Sequence, residues 1–148
     1  MENTNKNIAI GCDHAGYELK DKIKVLLHKE GYTVKDFGTN GPDSVDYPDY
    51  VHPLATAVEK GEFPLGIVIC GSGNGVNLTV NKHQGIRSAL CWTPELAKMA
   101  RLHNDANILA LSSRYVDEDV SIACVKAFLE NEFEGGRHQK RVDKVACY

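Results

Sequence analysis

The segment Leu65–Cys70 restricts the fold of this chain more than any other part of its sequence. Its six residues are apolar apart from one glycine, with no polar residue among them. A continuous apolar run of this length is typical of a strand that is buried on both faces, as strands of parallel sheets are. Residues 71–75 follow at once and contain three glycines, so this strand is expected to run directly into a glycine-rich turn.

The rest of the chain alternates between strand and helix patterns. Strands are predicted at residues 8–12, 32–37, 65–70, 86–91 and 108–111. Helices are predicted around residues 17–27, 51–58, 96–102 and 120–128, with a short one after the glycine turn and a loop at residues 38–48. This order predicts an α/β fold, a three-layer sandwich with a central five-stranded parallel sheet, Rossmann- or flavodoxin-like, and a C-terminal helix. A chain of 148 residues fits one domain over residues 1–148.

Composition and charge argue against several classes of partner. A net charge of −3 gives no long-range attraction to nucleic acid or to an anionic membrane. No apolar run approaches the ~20 residues that span a bilayer, and the N-terminus lacks the apolar stretch of an export signal. The five cysteines are odd in number and include no C-x-x-C pair, which argues against disulfides and a metal site and favours the cytoplasm. We therefore expect a cytoplasmic protein without nucleic acid, membrane or metal partners.

Cys70 stands where chemistry is expected in such a sheet, because ligands bind beyond the carboxyl ends of parallel strands. The residues that follow it are Gly71, Ser72, Gly73, Asn74 and Gly75, at the start of a helix. Backbone N–H groups gathered in this way bind anions, and the same field favours a thiolate over a thiol. Cys70 is therefore a candidate base or nucleophile. The alternative is a small buried residue at a strand end, as Cys91 and Cys124 are expected to be.

The glycine turn fails the patterns of three familiar phosphate-binding loops. A dinucleotide fingerprint needs a glycine where Val76 stands, and it would follow the first strand instead of the third. A Walker loop needs a Gly-Lys pair followed by Ser or Thr, which is absent here. A cysteine phosphatase loop needs an arginine six positions after the cysteine, and that position is again Val76. The glycine turn therefore belongs to none of these three loop types.

Two further groups of polar residues are candidates for the same site, one at this edge of the sheet and one at the end of a helix. Asp13 and His14 follow the first strand, although Asp13 could simply be a helix N-cap. His103 ends the fourth helix, where a lone histidine more often stabilises the helix terminus. These residues become functional candidates only if they converge with Cys70.

Basic residues near the C-terminus suggest a phosphate clamp. Arg137 and Arg141 are four residues apart, so on a helix both guanidinium groups would face one way. Arg114, after the fifth strand, could add a third contact, and Tyr47 could wall the pocket. The alternatives are a solvated basic face for the arginines and an ordinary loop anchor for Tyr47.

Taken together, several short motifs resemble the ribose-5-phosphate isomerase B family. They lie at residues 11–16 (GCDHAG), 46–48 (DYP), 70–75 (CGSGNG), 81–82 (NK), 85–87 (GIR), 103–107 (HNDAN) and 134–138 (EGGRH). Each motif is weak alone, but their order and spacing span nearly the whole chain. The family also contains galactose-6-phosphate and allose-6-phosphate isomerases, so the resemblance narrows the reaction more than the sugar.

The resemblance implies a role for each candidate residue. Cys70 would move a proton between C2 and C1 of an aldose through a cis-enediolate, whose charge the N–H groups of residues 71–75 would hold, with Ser72 where the family often has threonine. His103 would open the sugar ring. The residues that would bind sugar oxygens or phosphate are Asp13, His14, Tyr47, Asn104, Arg114, Arg137 and Arg141.

The resemblance also implies an assembly and a substrate class. The partner would be a small sugar phosphate, with no cofactor, and part of the phosphate clamp would come from a second subunit of a homodimer that could pair further into a tetramer. Ribose 5-phosphate is the expected substrate, with a six-carbon sugar phosphate as the alternative. From a different class, a flavodoxin-like nucleotide-binding or signalling module without catalysis stays open.

Overall fold

The computed structural model describes residues 5–148 and contains one five-stranded sheet in which every pairing is parallel. The strands are β1 (Asn7–Cys12), β2 (Thr33–Asp36), β3 (Leu65–Cys70), β4 (Ser88–Leu90) and β5 (Ile108–Ser112). Their order is β2-β1-β3-β5-β4. The central strand is therefore β3, the run that most restricted the fold, and all six of its residues are buried.

Helices cover both faces of the sheet. They are α1 (Tyr17–Lys29), α2 (Tyr47–Glu59), α3 (Asn74–Val80), α4 (Pro94–Asn104), α5 (Glu118–Glu130) and α6 (Gln139–Val142), with a 3₁₀ turn at Gly136–His138. Residues of α1, α4 and α5 pack in one apolar cluster, and residues of α2 and α3 pack in a second cluster on the other face. The predicted three-layer α/β fold is thus confirmed.

The structure differs from the sequence predictions at several element ends. The loop predicted to reach Pro48 ends earlier, since α2 begins at Tyr47 and uses that proline in its first turn. Asn74 and Gly75 belong to α3 and not to the preceding turn. The edge strand β4 covers only Ser88–Leu90, because Ile86 lies in a turn in which its N–H donates to the carbonyl of His83 at 3.0 Å. In a flavodoxin-like sheet β4 would lie between β3 and β5. Here β5 lies next to β3, and β4 is the edge strand.

Two predictions concerned membrane insertion and export. No helix within residues 5–148 is both long enough and apolar enough to cross a membrane. The prediction that the N-terminus carries no export signal rests in part on residues 1–4, which lie outside the described residues.

A fully buried lysine anchors the loop after β2, and the helical pattern of α1 did not predict it. The Lys20 ammonium donates to Asp36 Oδ1 at 2.9 Å, to the Thr39 carbonyl at 2.5 Å and to Asn40 Oδ1 at 2.6 Å. Lys24 donates to the other oxygen of Asp36 at 2.8 Å. Burial by itself would raise the pKa of Asp36, but the hydrogen bonds from Lys24 and Lys20 outweigh it and hold that pKa below its usual range. Each of the three N–H donors of the Lys20 ammonium therefore has a protein acceptor.

We expect Lys20→Met to lower the free energy of unfolding by about 2 kcal/mol, because the change removes a donor from the part-buried Asp36 carboxylate and Thr39 carbonyl. Lys22→Met is the matched control, since Lys22 pairs with Glu118 at the surface, where both side chains are about half exposed. The control should unfold like the wild type. Urea unfolding curves of the two variants test this, and similar midpoints would contradict the stabilising role of the Lys20 network.

Candidate active site

A cavity of about 460 Å³ opens at the carboxyl end of β3. Its lining residues are Asp13, Tyr47, Cys70, Gly71, Ser72, Asn74, Gly75, Leu78, Arg114 and Tyr115. Cys70 is the last residue of β3 and keeps 5% of its surface exposed. The cavity thus brings together, around one thiol, most of the residues that the sequence placed at this edge of the sheet. We call it the thiol cleft.

The glycine turn after Cys70 is fastened to the segment that follows β5. The Ser112 hydroxyl donates to the Gly71 carbonyl at 2.7 Å, and the N–H groups of Ser113 and Arg114 donate to the carbonyls of Cys70 and Gly71, each at 3.0 Å. Both carbonyl groups therefore point away from the cleft. Within the described residues, the N–H groups of Ser72, Gly73 and Gly75 donate to no protein acceptor. An anionic ligand is what such free donors can bind.

Close packing explains the glycine at the end of this turn and the glycine in the first turn of α3. Gly73 has a φ of +77°, and an added Cβ would lie 2.6 Å from Leu90 Cδ1. An added Cβ on Gly75 would lie 2.5 Å from Cζ of Tyr47. The Tyr47 ring therefore packs directly on the first turn of α3 and walls the cleft.

Ser72 and Arg114 complete the wall of the thiol cleft. The Ser72 hydroxyl accepts a hydrogen bond from the Asn74 N–H at 3.1 Å, which leaves its own proton free to donate. The Arg114 guanidinium lies over Gly71, where an added Cβ would be 3.1 Å from Nη1. A positive charge thus stands beside the free amides.

Asp13 and His14 occupy different surroundings although they are adjacent. Asp13 is buried in the cleft wall, and its Oδ1 accepts a hydrogen bond from the Ala15 N–H at 2.9 Å. It is not the N-cap of α1, a position that Gly16 fills. His14 lies outside the cleft lining, and its Nδ1 accepts a hydrogen bond from the Val45 N–H at 3.2 Å. Asp13 therefore lines the same cleft as Cys70, whereas the His14 side chain is bonded to the loop before α2.

A second cavity of about 460 Å³ holds most of the remaining candidates. Its polar lining includes His83, Arg87, His103, Asn104, His138 and Arg141. It shares no lining residue with the thiol cleft, so a single chain does not bring His103, Asn104 or Arg141 to Cys70. We call it the histidine cavity. Arg137 lines neither cavity and stands on the 3₁₀ turn, while Arg141 is in α6, so the two are not on one continuous α-helix as the spacing suggested.

A stacked pair of imidazoles marks the histidine cavity. The rings of His103 and His138 lie 4.3 Å apart between centroids at an angle of 16°. The pKa of His138 is lowered, first by burial and then by the positive charges of His103 and Arg137. The sequence pointed to His138 only through the motif EGGRH at residues 134–138, and it did not predict the contact with His103.

The chain also matches known proteins over most of its length. The family model described as Ribose/Galactose Isomerase matches residues 8–145. The chain belongs to this family. Ribose-5-phosphate isomerase B of Escherichia coli is 44% identical over 142 residues, which cover 96% of this chain and 95% of that protein. A protein of Mycoplasma pneumoniae with the name probable ribose-5-phosphate isomerase B is also 44% identical, over 97% of this chain and 95% of its own.

Solved structures of the same family share the fold closely. Ribose-5-phosphate isomerase B of Clostridium thermocellum aligns with a TM-score of 0.92 at 52% identity, over 94% of each chain. That of Mycoplasma genitalium, solved with bound ribulose 5-phosphate, aligns with a TM-score of 0.91 at 44% identity, over 94% of this chain and 93% of its own. Identities this high leave little room for a different fold in this member of the family.

The five cysteines differ sharply in environment. Burial raises the pKa of the Cys12 and Cys91 thiols to about 12 and that of Cys124 to about 11. Cys147 is exposed, and Cys70 opens on the thiol cleft. All five are free thiols. Of the five thiols, only Cys70 and Cys147 therefore lie at a cleft or at the surface, where a reagent can reach them.

We expect iodoacetamide to modify a Cys147→Ser variant once per chain, at Cys70, because the other three thiols are buried and stay protonated. Peptide mass mapping after brief exposure locates the modification. Ribose 5-phosphate should slow the reaction by occupying the cleft. Equal modification at Cys12, Cys91 or Cys124 would show that the cleft does not single out Cys70.

Proposed function

We propose that this chain is an aldose-ketose isomerase that interconverts ribose 5-phosphate and ribulose 5-phosphate through a cis-enediolate. The observation that carries the proposal is a single accessible thiol at the end of β3 beside backbone N–H groups that have no protein acceptor. Membership of the ribose/galactose isomerase family supports the reaction class. The names of the relatives, and the bound ribulose 5-phosphate in the Mycoplasma genitalium structure, favour the five-carbon sugar over a six-carbon one.

The proposed chemistry needs one base and one set of donors. The Cys70 thiolate takes the proton from C2 of the open-chain aldose, and the electron pair of that bond forms the C1–C2 double bond of an enediolate. A proton passes from the C2 hydroxyl to O1, and the resulting thiol returns its own proton at C1, so that the C2 carbonyl of the ketose forms and the enzyme is left unchanged. Burial beside Asp13 and Tyr47 keeps the thiol out of bulk water.

The glycine turn supplies stabilisation for the enediolate. Ser72 and Gly75, whose N–H groups are free, line the cleft where negative charge would develop, and Ser72 adds its hydroxyl; Gly73, between them, does not line it. Each such donor can contribute on the order of 3 kcal/mol to the transition state. Because the bonds from Ser112, Ser113 and Arg114 already fix the turn, little reorganisation is needed as the charge forms.

The second part of the proposed site comes from another copy of the chain. His103, which would transfer protons to open the furanose ring, and Asn104, which would bind sugar oxygens, line a different cavity from Cys70. Leu78 and Tyr115, exposed by 58% and 69%, form an apolar rim on the thiol cleft, and such a rim is typical of a surface that a partner covers. We therefore propose a homodimer in which each active site contains residues of both chains. The proposal extends to a tetramer formed by two such dimers.

Three arginines would hold the phosphate. Arg114 stands in the thiol cleft itself, whereas Arg137 and Arg141 lie on the exposed segment beside the histidine cavity. Guanidinium groups bind phosphate through paired N–H donors. On this proposal His14 contributes to phosphate binding through Nε2, because its Nδ1 already accepts a hydrogen bond from the Val45 N–H.

The setting of the proposed enzyme follows from the same features. Free thiols are typical of the cytoplasm, where we place it. The reaction moves a proton within one molecule, so the proposal includes no cofactor. We further propose one isomerase domain over residues 1–148.

A coupled assay of the purified chain against ribose 5-phosphate, allose 6-phosphate and galactose 6-phosphate tests the proposal. We expect the highest kcat/KM on ribose 5-phosphate. A higher value on either six-carbon sugar would transfer the proposal to that substrate. No turnover on any of the three would favour a binding module without catalysis.

Replacing the base tests the mechanism. We expect Cys70→Ala to lower kcat about a thousandfold, because proton transfer is lost, while calorimetry still detects ribose 5-phosphate binding of nearly unchanged affinity. Cys147→Ala, which removes the other accessible thiol, is the matched control and should keep wild-type turnover. Full activity of the Cys70 variant would remove this residue from the mechanism.

Replacing His103 separates ring opening from isomerisation. Erythrose 4-phosphate cannot close a five-membered ring, because the hydroxyl that would close it carries the phosphate. We expect His103→Ala to lower kcat/KM about a hundredfold on ribose 5-phosphate and far less on erythrose 4-phosphate. His28→Ala, at an exposed position of α1, serves as control. Equal losses on both substrates would refute the ring-opening role.

A further inference from the structure

Asp105 has an unusual backbone conformation next to the proposed ring-opening residue. It is the only non-glycine residue with positive φ among residues 5–148, with φ +47° and ψ +43° as the C-cap of α4. Left-handed backbone is unfavourable for most residues, and aspartate and asparagine tolerate it better than others. His103 and Asn104 are the two residues just before it. The way α4 ends therefore decides where both side chains lie.

Two arginines from different parts of the chain converge on this residue. Arg101 Nη1 donates to Asp105 Oδ1 at 3.1 Å and to the Ala106 carbonyl at 2.6 Å. Arg87 Nε donates to the Asp105 carbonyl at 2.9 Å, and its Nη2 donates to Asp105 Oδ2 at 3.4 Å. The arginine side chains are 12% and 24% exposed and that of Asp105 is 34% exposed. These contacts are thus shielded in part from solvent.

The same contacts join the end of α4 to the edge of the sheet. Arg87 precedes β4, and its carbonyl accepts a hydrogen bond from the Asn107 N–H at 2.9 Å, just before β5. The Asn107 side chain in turn accepts from the Arg87 N–H at 2.8 Å. Helix ends otherwise fray, because their last carbonyl groups lack partners within the helix. The carboxylate and the backbone carbonyl of Asp105 therefore join the end of α4 to Arg87, just before β4, and Arg87 is bonded in turn to Asn107, just before β5.

We propose that Asp105 is a positioning residue that holds His103 and Asn104 in their working geometry. Asp105 does not line the histidine cavity, although both of its chain neighbours do, so it acts through them and not on the substrate. The inference rests on the proposed function, because the residue it serves is the proposed ring-opening group. The stack of His103 on His138 gives that geometry an independent readout.

Two substitutions separate the carboxylate from the backbone conformation. Asp105→Gly removes the carboxylate but accepts a positive φ without strain. Asp105→Asn keeps a side chain that tolerates positive φ and retains one oxygen acceptor for an arginine. Ile23→Val, a mild core change in α1, controls for a general loss of stability.

We expect Asp105→Gly to lower kcat/KM on ribose 5-phosphate about tenfold, since small displacements of a catalytic group are costly. The loss on erythrose 4-phosphate should be smaller, so the ratio of the two values should move toward that of His103→Ala. Asp105→Asn should recover part of the loss, and Ile23→Val should leave the ratio unchanged. The His103 ring signals in NMR spectra should also shift in the glycine variant as the stack with His138 loosens.

The outcomes are distinguishable from failure of the proposed function. An unchanged substrate ratio together with unmoved His103 ring signals in Asp105→Gly would overturn the inference and leave Asp105 as a simple helix cap. A wild-type chain inactive on every sugar phosphate would overturn the proposed function instead. In that case the ring signals would still decide whether Asp105 fixes the position of His103.

Discussion

The hydrogen bonds between the turn after β3 and the segment after β5 determine what the thiol cleft can do. Because the Cys70 and Gly71 carbonyls accept hydrogen bonds from residues 112–114, the peptide groups of the turn cannot rotate freely. Within residues 71–75 the N–H groups of Gly71, Ser72, Gly73 and Gly75 have no protein acceptor. The strand order makes this possible, since β5 lies directly beside β3 and the Cys70–Ser112 pairing brings the two strand ends level. In a flavodoxin-like order β4 would occupy that place.

The two cavities depend on different parts of the fold. The thiol cleft uses the ends of β1, β3 and β5 and the starts of α2 and α3, all close to the buried centre of the sheet. The histidine cavity uses the edge strand β4, the end of α4 and the C-terminal segment, where packing is looser and more side chains are exposed. A site that needs precise placement at such an edge has to be braced by polar contacts, because apolar packing there is incomplete. The arginine contacts of Asp105 are of this kind.

The sequence predicted the centre of the fold better than its edges, for a physical reason. β3 was predicted residue for residue because a strand buried on both faces leaves a continuous apolar run, and the thiol cleft followed from where that run stops. β4 was predicted too long because an edge strand has only one partner, and its apolar neighbours can lie in turns. Lys20 carried no signal of burial, since its acceptors come from a loop that a helical pattern does not describe. Nor could spacing along the chain show that His103 and Cys70 line separate cavities.

The five cysteines show that position, more than residue type, creates the chemistry proposed for this chain. Cys12 also follows a run of buried β-strand residues, and it ends β1 in the same way that Cys70 ends β3. Yet Cys12 is fully buried, its thiol faces the Thr39 carbonyl at 3.5 Å, and burial raises its pKa to about 12. Cys70 differs because a glycine turn follows it and withdraws side-chain bulk from one side of the sulfur. A side chain at Gly73 would collide with Leu90 and Leu111, and one at Gly75 with Tyr47. The glycines thus let the segment after β3 pack closely against β4, β5 and Tyr47 while Cys70 still lines an open cleft.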